Sequence, residues 1–249
     1  MKNKLIKVSF MCCIIIAMLC SCTDKNKKIE YIEDETIISD STSENDDKEI
    51  TSNNNANELN IQVGNFINFG TYEQDGDISN GAEPIEWKVL AVEDGKALLI
   101  SKYVLDWQKY NETGDKVNWS TCSLRVWLNQ DFYNMAFSNE EKNKIADTSI
   151  TADGIETYDL VFLLNKTEMK TYFYSDDEQI SEPTEVVKFS AKDTQNSTFE
   201  NKEGCWYWVC GNGTIDRAPY VSKKGKIEGN TDCVDRNYGV RPAIWINLN

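Results

Sequence analysis

Apolar positions between residues 61 and 249 recur with two periods, and each period predicts its own kind of element. Phe66-Ile67-Asn68-Phe69-Gly70 alternates and predicts a short half-buried strand that ends at Gly70. After a polar loop from Gln74 to Pro84, Ile85, Trp87, Val89 and Ala91 alternate with Glu86, Lys88 and, less cleanly, Leu90. Asp94-Gly95 separates this run from Lys96-Ala97-Leu98-Leu99-Ile100-Ser101. Asp-Gly tolerates the two positive φ values of a tight hairpin turn, so a hairpin is expected over 85–101. Leu124, Trp127, Leu128 and Phe132 fall at i, i+3, i+4 and i+8 on one helical face, with Ser120 or Ser123 as the expected cap. Ser138-Asn139-Glu140-Glu141 is a capping-box pattern opening a second short helix through Ala146, and Asn165-Lys166-Thr167-Glu168 caps a third helical turn toward Tyr172. Tyr158 to Leu164 reads as a buried strand. Residues 103–119 and 175–204 read as loops, the second broken by Pro183. Cys205–Cys210, Ala218–Ser222 and Val240–Leu248 read as short strands between glycine turns. The expected class is α+β: an early hairpin, two to three short helices, and a β-rich, loop-rich C-terminal half.

The N-terminus has a different pattern. Lys2, Lys4 and Lys7 precede an apolar run from Val8 to Leu19, too short for the roughly 20 residues of a membrane span. Leu19-Cys20-Ser21-Cys22 follows and looks like a bacterial lipobox. That resemblance implies a lipoprotein signal peptide over 1–21 and Cys22 as the lipidated first residue of the mature chain. The protein is then expected on the extracytoplasmic face of the cell membrane, held by its lipid anchor. Residues 23–60 carry 11 acids against 4 lysines and few large apolar residues. Such a segment buries too little surface to offset its ordering entropy, so 22–60 is expected to be a disordered acidic tether. Residues 61–249 have the length of a single globular domain.

Charge and composition remove several functions. The chain has 41 acids and 26 bases, a net charge of −15. Phosphate neutralisation needs a basic face, so nucleic-acid binding is not expected. There is no histidine, which excludes Ser-His-Asp and Cys-His hydrolases and imidazole acid–base catalysis. No glycine-rich phosphate loop of either common spacing occurs.

The candidate chemistry that remains lies in cysteines, aromatics and acids. Cys122, Cys205, Cys210 and Cys233 allow three disulfide pairings, Cys205–Cys210 being the local one, or they are thiols. Trp107, Tyr110, Trp206 and Trp208 are candidate ligand-stacking rings. Core packing is the first reading for any one tryptophan, and Trp107 and Tyr110 are the pair expected at the surface because polar residues flank them. Asp75-Gly76-Asp77 and Asp176-Asp177-Glu178 offer oxygen ligands for calcium without the spacing of an EF-hand loop. No other cofactor is implied.

Several stretches together resemble one family. They are Phe69-Gly70-x-Tyr72, Glu83-Pro84-Ile85-Glu86-Trp87-x-Val89-Leu90, Ala97-Leu98-Leu99-Ile100-Ser101-Lys102, Trp119-Ser120-x-x-Ser123-Leu124-Arg125-x-Trp127-Leu128-Asn129, Asp159-x-Val161-Phe162-Leu163-Leu164 and Gly239-Val240-Arg241-Pro242-Ala243. The set is similar to an uncharacterised domain family of surface and secreted proteins from Gram-positive bacteria. Arg125 and Arg241 belong to that pattern and read as structural arginines first and as ligand contacts second. The helix pair, the long loops and the closing Gly-Val-Arg-Pro strand are also similar to the C-type-lectin-like fold, which implies a display scaffold. Enzymes of that fold that generate formylglycine bind copper through two cysteines at i, i+5. Cys205 and Cys210 have this spacing, although the residues around them do not match. The expected function is a non-enzymatic binding or interaction module that recognises a glycan, a cell-wall component or a surface protein. A copper-thiolate oxidase and a structural accessory lipoprotein are the alternatives.

Overall fold

Three strands begin the described chain: β1 (Phe66–Tyr72), β2 (Glu83–Glu93) and β3 (Lys96–Ser101). The computed structural model describes residues 61–195, 197–200, 203–211 and 216–248, so the expected signal segment, Cys22 and the acidic tether lie outside the described residues. β2 and β3 form the expected hairpin, with Asp94 and Gly95 at φ +50° and +71°. β1 does not end at Gly70. It bulges there, the register with β2 shifting between Asn68 and Thr71, and continues to Tyr72. Gly70 sits at φ +72°, and a Cβ at this position would lie 2.6 Å from the Ala136 carbonyl oxygen, so the bulge needs glycine.

β4 (Asp106–Lys109) follows within a stretch expected to be loop. The expected helix divides into α1 (Ser123–Trp127), a π-helical turn (Leu128–Phe132) and α2 (Tyr133–Ala136). Its cap is neither expected serine: the Cys122 sulfur accepts from the Arg125 amide at 3.4 Å. Ser138 and Glu141 make the expected capping box of α3 (Asn139–Lys142). That helix stops short of Ala146, whose amide instead donates to the Trp245 carbonyl. β5 (Thr148–Ala152) and β6 (Ile155–Asp159) form a hairpin around Asp153-Gly154, at φ +56° and +77°. This corrects the strand expected over 158–164. Val161–Leu164 are buried but leave the ladder, Phe162 making only an isolated bridge to Ala243.

The Asn165 capping box opens α4 (Lys166–Tyr172) as expected. The supposed loop 175–204 contains α5 (Asp176–Gln179) and α6 (Glu185–Gln195). α6 buries only Val187 and Ala191, four residues apart, and so reads as polar sequence. β7 (Tyr207–Trp208), β8 (Arg217–Val221), β9 (Ile227–Cys233), β10 (Asn237–Val240) and β11 (Ala243–Asn247) complete the chain.

Two larger sheets, ordered β1-β2-β3-β11 and β4-β10-β7-β8-β9, stand beside the two-stranded β5-β6 sheet. The class is α+β with a β-rich C-terminal half, as expected. Only Arg241 and Pro242 separate β10 in one sheet from β11 in the other. β3 and β4 make the same crossing, with Ser101 N donating to Pro242 O and Leu105 N to Val240 O. The two crossings form a shared corner, and Gly239 stands in it: a Cβ there would be 2.4 Å from Val104 Cγ1 and 2.5 Å from Trp206 O.

Candidate functional site

Three of the four candidate ligand-stacking rings converge on Tyr238, and the fourth, Tyr110, packs against Trp208 with ring centroids 5.5 Å apart. Ring centroids of Trp208, Trp107 and Trp206 lie 4.7, 6.1 and 6.3 Å from that of Tyr238. Trp107 and Tyr110 are 5% and 1% exposed, which overturns the surface position expected for both. Their sequence neighbours are polar, but β4 alternates, and Trp107 turns inward to donate from Nε1 to Thr194 on α6 at 2.8 Å. Tyr110 donates to the Gly211 carbonyl at 2.9 Å. Trp208 is buried and donates to the Gln108 carbonyl at 2.9 Å. Trp206 alone is half-buried, and Lys223 covers it, with Nζ 4.4 Å from the Trp206 and Phe199 ring centroids and 2.9 Å from Glu203 Oε1. These rings build the core and its rim.

Both arginines singled out by the sequence are held by several protein groups. Arg241 is 4% exposed and donates to Ser101 O (2.9 Å), Gln179 O (3.3 Å) and Tyr207 Oη (3.1 Å), pinning the corner between the sheets. It has no carboxylate partner among the described residues, and its guanidinium carbon lies 5.4 and 5.6 Å from the Tyr207 and Phe173 ring centroids. Arg125 pairs with the fully buried Asp159, Nε to Oδ1 at 2.5 Å. Trp119 Nε1 and Thr157 Oγ1 each donate to Asp159 Oδ2 at 2.9 Å. Asn129 Oδ1 accepts from the Leu160 and Val161 amides. The conspicuous motif from Trp119 to Asn129 is therefore the clamp between α1 and β6.

Cys122, Cys205, Cys210 and Cys233 are free, with no Cys205–Cys210 bridge. Cys205 N donates to Ser181 O and Cys210 N to Leu164 O at the two ends of an extended run. At about 3.3 Å per residue that run places the two Cα atoms roughly 16 Å apart, beyond the 7 Å a disulfide spans. Burial pushes the Cys122 thiol up to about 12, and it pushes Cys205 and Cys210 upward as well. Asp75, one of the expected calcium ligands, joins Glu73 and Glu83 in a group whose ligand atoms lie within 4.8 Å of one another. Asp77 instead accepts from Ser79, and Asp176 and Asp177 lie in the first turn of α5.

Sequence reasoning missed a groove made of two concavities. One, of about 220 Å³, has Trp245 beside Glu93, Asp94 and Lys96, and runs to Asp147, Thr148 and Ser149. The other, of about 480 Å³, has Tyr158 beside Arg125, Asn129 and Gln130. Asp147 lines both. Ser149 of the first and Tyr158 of the second are cross-strand partners on one face of the β5–β6 hairpin, which places their Cβ atoms about 5 Å apart. An aromatic ring thus stands in each half. Tyr158 is 61% exposed. The Trp245 indole N–H, unlike those of Trp87, Trp107, Trp119 and Trp208, has no hydrogen-bond partner among the described residues. Asp153-Gly154, the signal for the hairpin that carries this groove, was legible, but the polar run Thr148-Ser149 beside it hid the strand.

The family model described as Domain of unknown function (DUF6273) matches residues 94–248. The chain belongs to DUF6273. The DUF6273 match begins inside the first hairpin, so β1 and β2 precede it although they complete its first sheet. All the groove residues except Glu93 fall within the DUF6273 match. No curated protein and no solved structure matches the chain, and the lectin-like resemblance is not confirmed.

Proposed function

We propose that this chain is a lipid-anchored extracytoplasmic binding module, without enzymatic activity, that recognises a surface glycan through the groove between Trp245 and Tyr158. The observation that carries the reading is that two neighbouring concavities share Asp147 in their lining and hold one aromatic ring each. Pyranose rings present flat C–H faces to such rings and hydroxyls to the polar groups around them; Gln130 supplies a donor and an acceptor, and the Thr148 and Ser149 hydroxyls, which already donate to Ala146 O and Glu156, remain as acceptors. The sequence of the N-terminus supports display: residues 1–22 resemble a lipoprotein signal peptide ending in a lipobox cysteine, and residues 23–60 are acidic and poor in large apolar side chains.

The test is binding of the purified full chain to intact cells, isolated cell wall and a glycan panel, with and without calcium. Saturable binding that a sugar or wall fragment competes, and that Tyr158→Ala, at a ring 61% exposed, weakens at unchanged melting temperature, is the expected result. Absence of binding to every surface overturns it. Calcium dependence would bring the Glu73–Asp75–Glu83 group into the mechanism. Cys22→Ser is expected to release the protein from the membrane fraction.

A further inference from the structure

We infer that the glycan taken by this groove is an amino-sugar polymer carrying free ammonium groups; the inference rests on the glycan reading above and adds the charge class of the ligand. Its basis is which side chains of the groove are already committed. Arg125 is held by Asp159 through Nε, by Ser120 O through Nη1 and by Tyr158 O through Nη2. Asn129 is likewise occupied by the Arg125 and Val161 carbonyls and the Leu160 and Val161 amides. By contrast, the carboxylates of Glu93, Asp94 and Asp147 make no ion pair and no hydrogen bond among the described residues, and they face the same groove.

Lys96 is the other cation lining the groove, and it too has no ion-pair partner among the described residues. The groove therefore offers a ligand three uncommitted carboxylates against one uncommitted ammonium. An anionic polymer such as a uronate would meet repulsion at the centre, where Asp147 joins the halves. A polymer of amino sugars would set its ammonium groups against these carboxylates while its ring faces lie on Trp245 and Tyr158, where an ammonium also gains from the aromatic π-face. The net charge of −15 adds a long-range field that draws cations toward the protein.

A cationic peptide shares the charge but fits the surroundings less well. Extended peptides bind by adding to a free sheet edge. One edge beside Trp245 is β11, and its backbone is already taken by Ala146 N to Trp245 O, Asn247 N to Lys144 O and the Phe162–Ala243 bridge; the other is β5 of the two-stranded sheet, and the lysine hexamer below tests it.

The test is isothermal titration of the full chain, in low salt at mildly acidic pH, with four hexamers: glucosamine, N-acetylglucosamine, galacturonate and lysine. The glucosamine hexamer is expected to bind about tenfold more tightly than its acetylated counterpart, the scale of two or three exposed ion pairs acting together. Galacturonate is expected not to bind. Glu93→Gln with Asp147→Asn removes exposed, unbonded carboxylates, so the fold should be unchanged by circular dichroism while the preference for glucosamine collapses. Added salt should narrow the preference in the wild type only. Equal or tighter binding of the acetylated hexamer overturns the charge inference and leaves the glycan reading standing. Binding of the lysine hexamer at least as tight as glucosamine overturns the glycan class, and failure of all four overturns both readings.

Discussion

Arg125 and Asp159, 34 residues apart in the chain, meet with Nε 2.5 Å from Oδ1, and the carboxylate is fully buried while the guanidinium keeps some solvent. Asp159 also receives the Trp119 indole and the Thr157 hydroxyl, so one carboxylate ties the 3-10 turn at Trp119–Thr121, α1 and β6 together. Asp159→Ala leaves two buried donors and a half-buried cation without their acceptor. Equilibrium urea unfolding is expected to show a loss of about 3–5 kcal/mol, the range for breaking a buried pair from one side.

Gly154 and Gly225 both sit at φ +77°, yet only one is crowded. A Cβ on Gly154 meets nothing within 4 Å, whereas on Gly225 it would lie 1.7 Å from Asp176 O. Gly154→Ala should lose about 1 kcal/mol, the left-handed backbone penalty alone, and Gly225→Ala about 3 kcal/mol or more because the Asp176 backbone must also move. Thermal melts of the two variants compared side by side check this, and equal losses would contradict the crowding.

Burial holds the Asp106 carboxyl above its usual range, against hydrogen bonds from Tyr72, the Trp107 amide and Gln108. The folded state therefore holds this proton more tightly than the unfolded chain does. The stability this group contributes is fully present below the unfolded carboxylate pKa and declines as pH rises through the folded one. Asp106→Asn should gain stability relative to the wild type between about pH 4 and pH 7. Chemical denaturation at both pH values measures it, and a difference that does not change with pH would refute the assignment.

Among the four described cysteines, Cys233 is half-buried and the other three are buried, with their thiols pushed upward. The thiolate is the reactive form, so alkylation of the native protein at about pH 8 should label Cys233 first. Cys122, Cys205 and Cys210 should label only at the rate of opening. Peptide mapping after timed labelling reads this directly, and early modification of Cys205 or Cys210 would revive a chemical role for that pair.

The sequence by itself determined the elements whose signals are local. Asp94-Gly95 specified a hairpin because its two residues accept positive φ. Ser138–Glu141 and Asn165–Glu168 specified helix starts because each cap satisfies its own first amides. The absence of histidine and the net charge narrowed the chemistry without any coordinates. Where burial depends on partners distant in the chain, only the tertiary structure decided. Trp107 and Tyr110 have polar neighbours, but they are covered by α6 and by the chain at Gly211, contacts 87 and 101 residues away. α6 was hidden because a helix on a sheet surface needs only a narrow apolar stripe, here Val187 and Ala191. The motif arginines were legible as residues but not as roles, since a buried guanidinium is structural or ligand-binding according to the groups that face it. The groove was illegible for the same reason: Glu93, Asp147, Tyr158 and Trp245 come from segments that adjoin only when the β5–β6 hairpin lies beside β11, and no spacing along the chain encodes that contact.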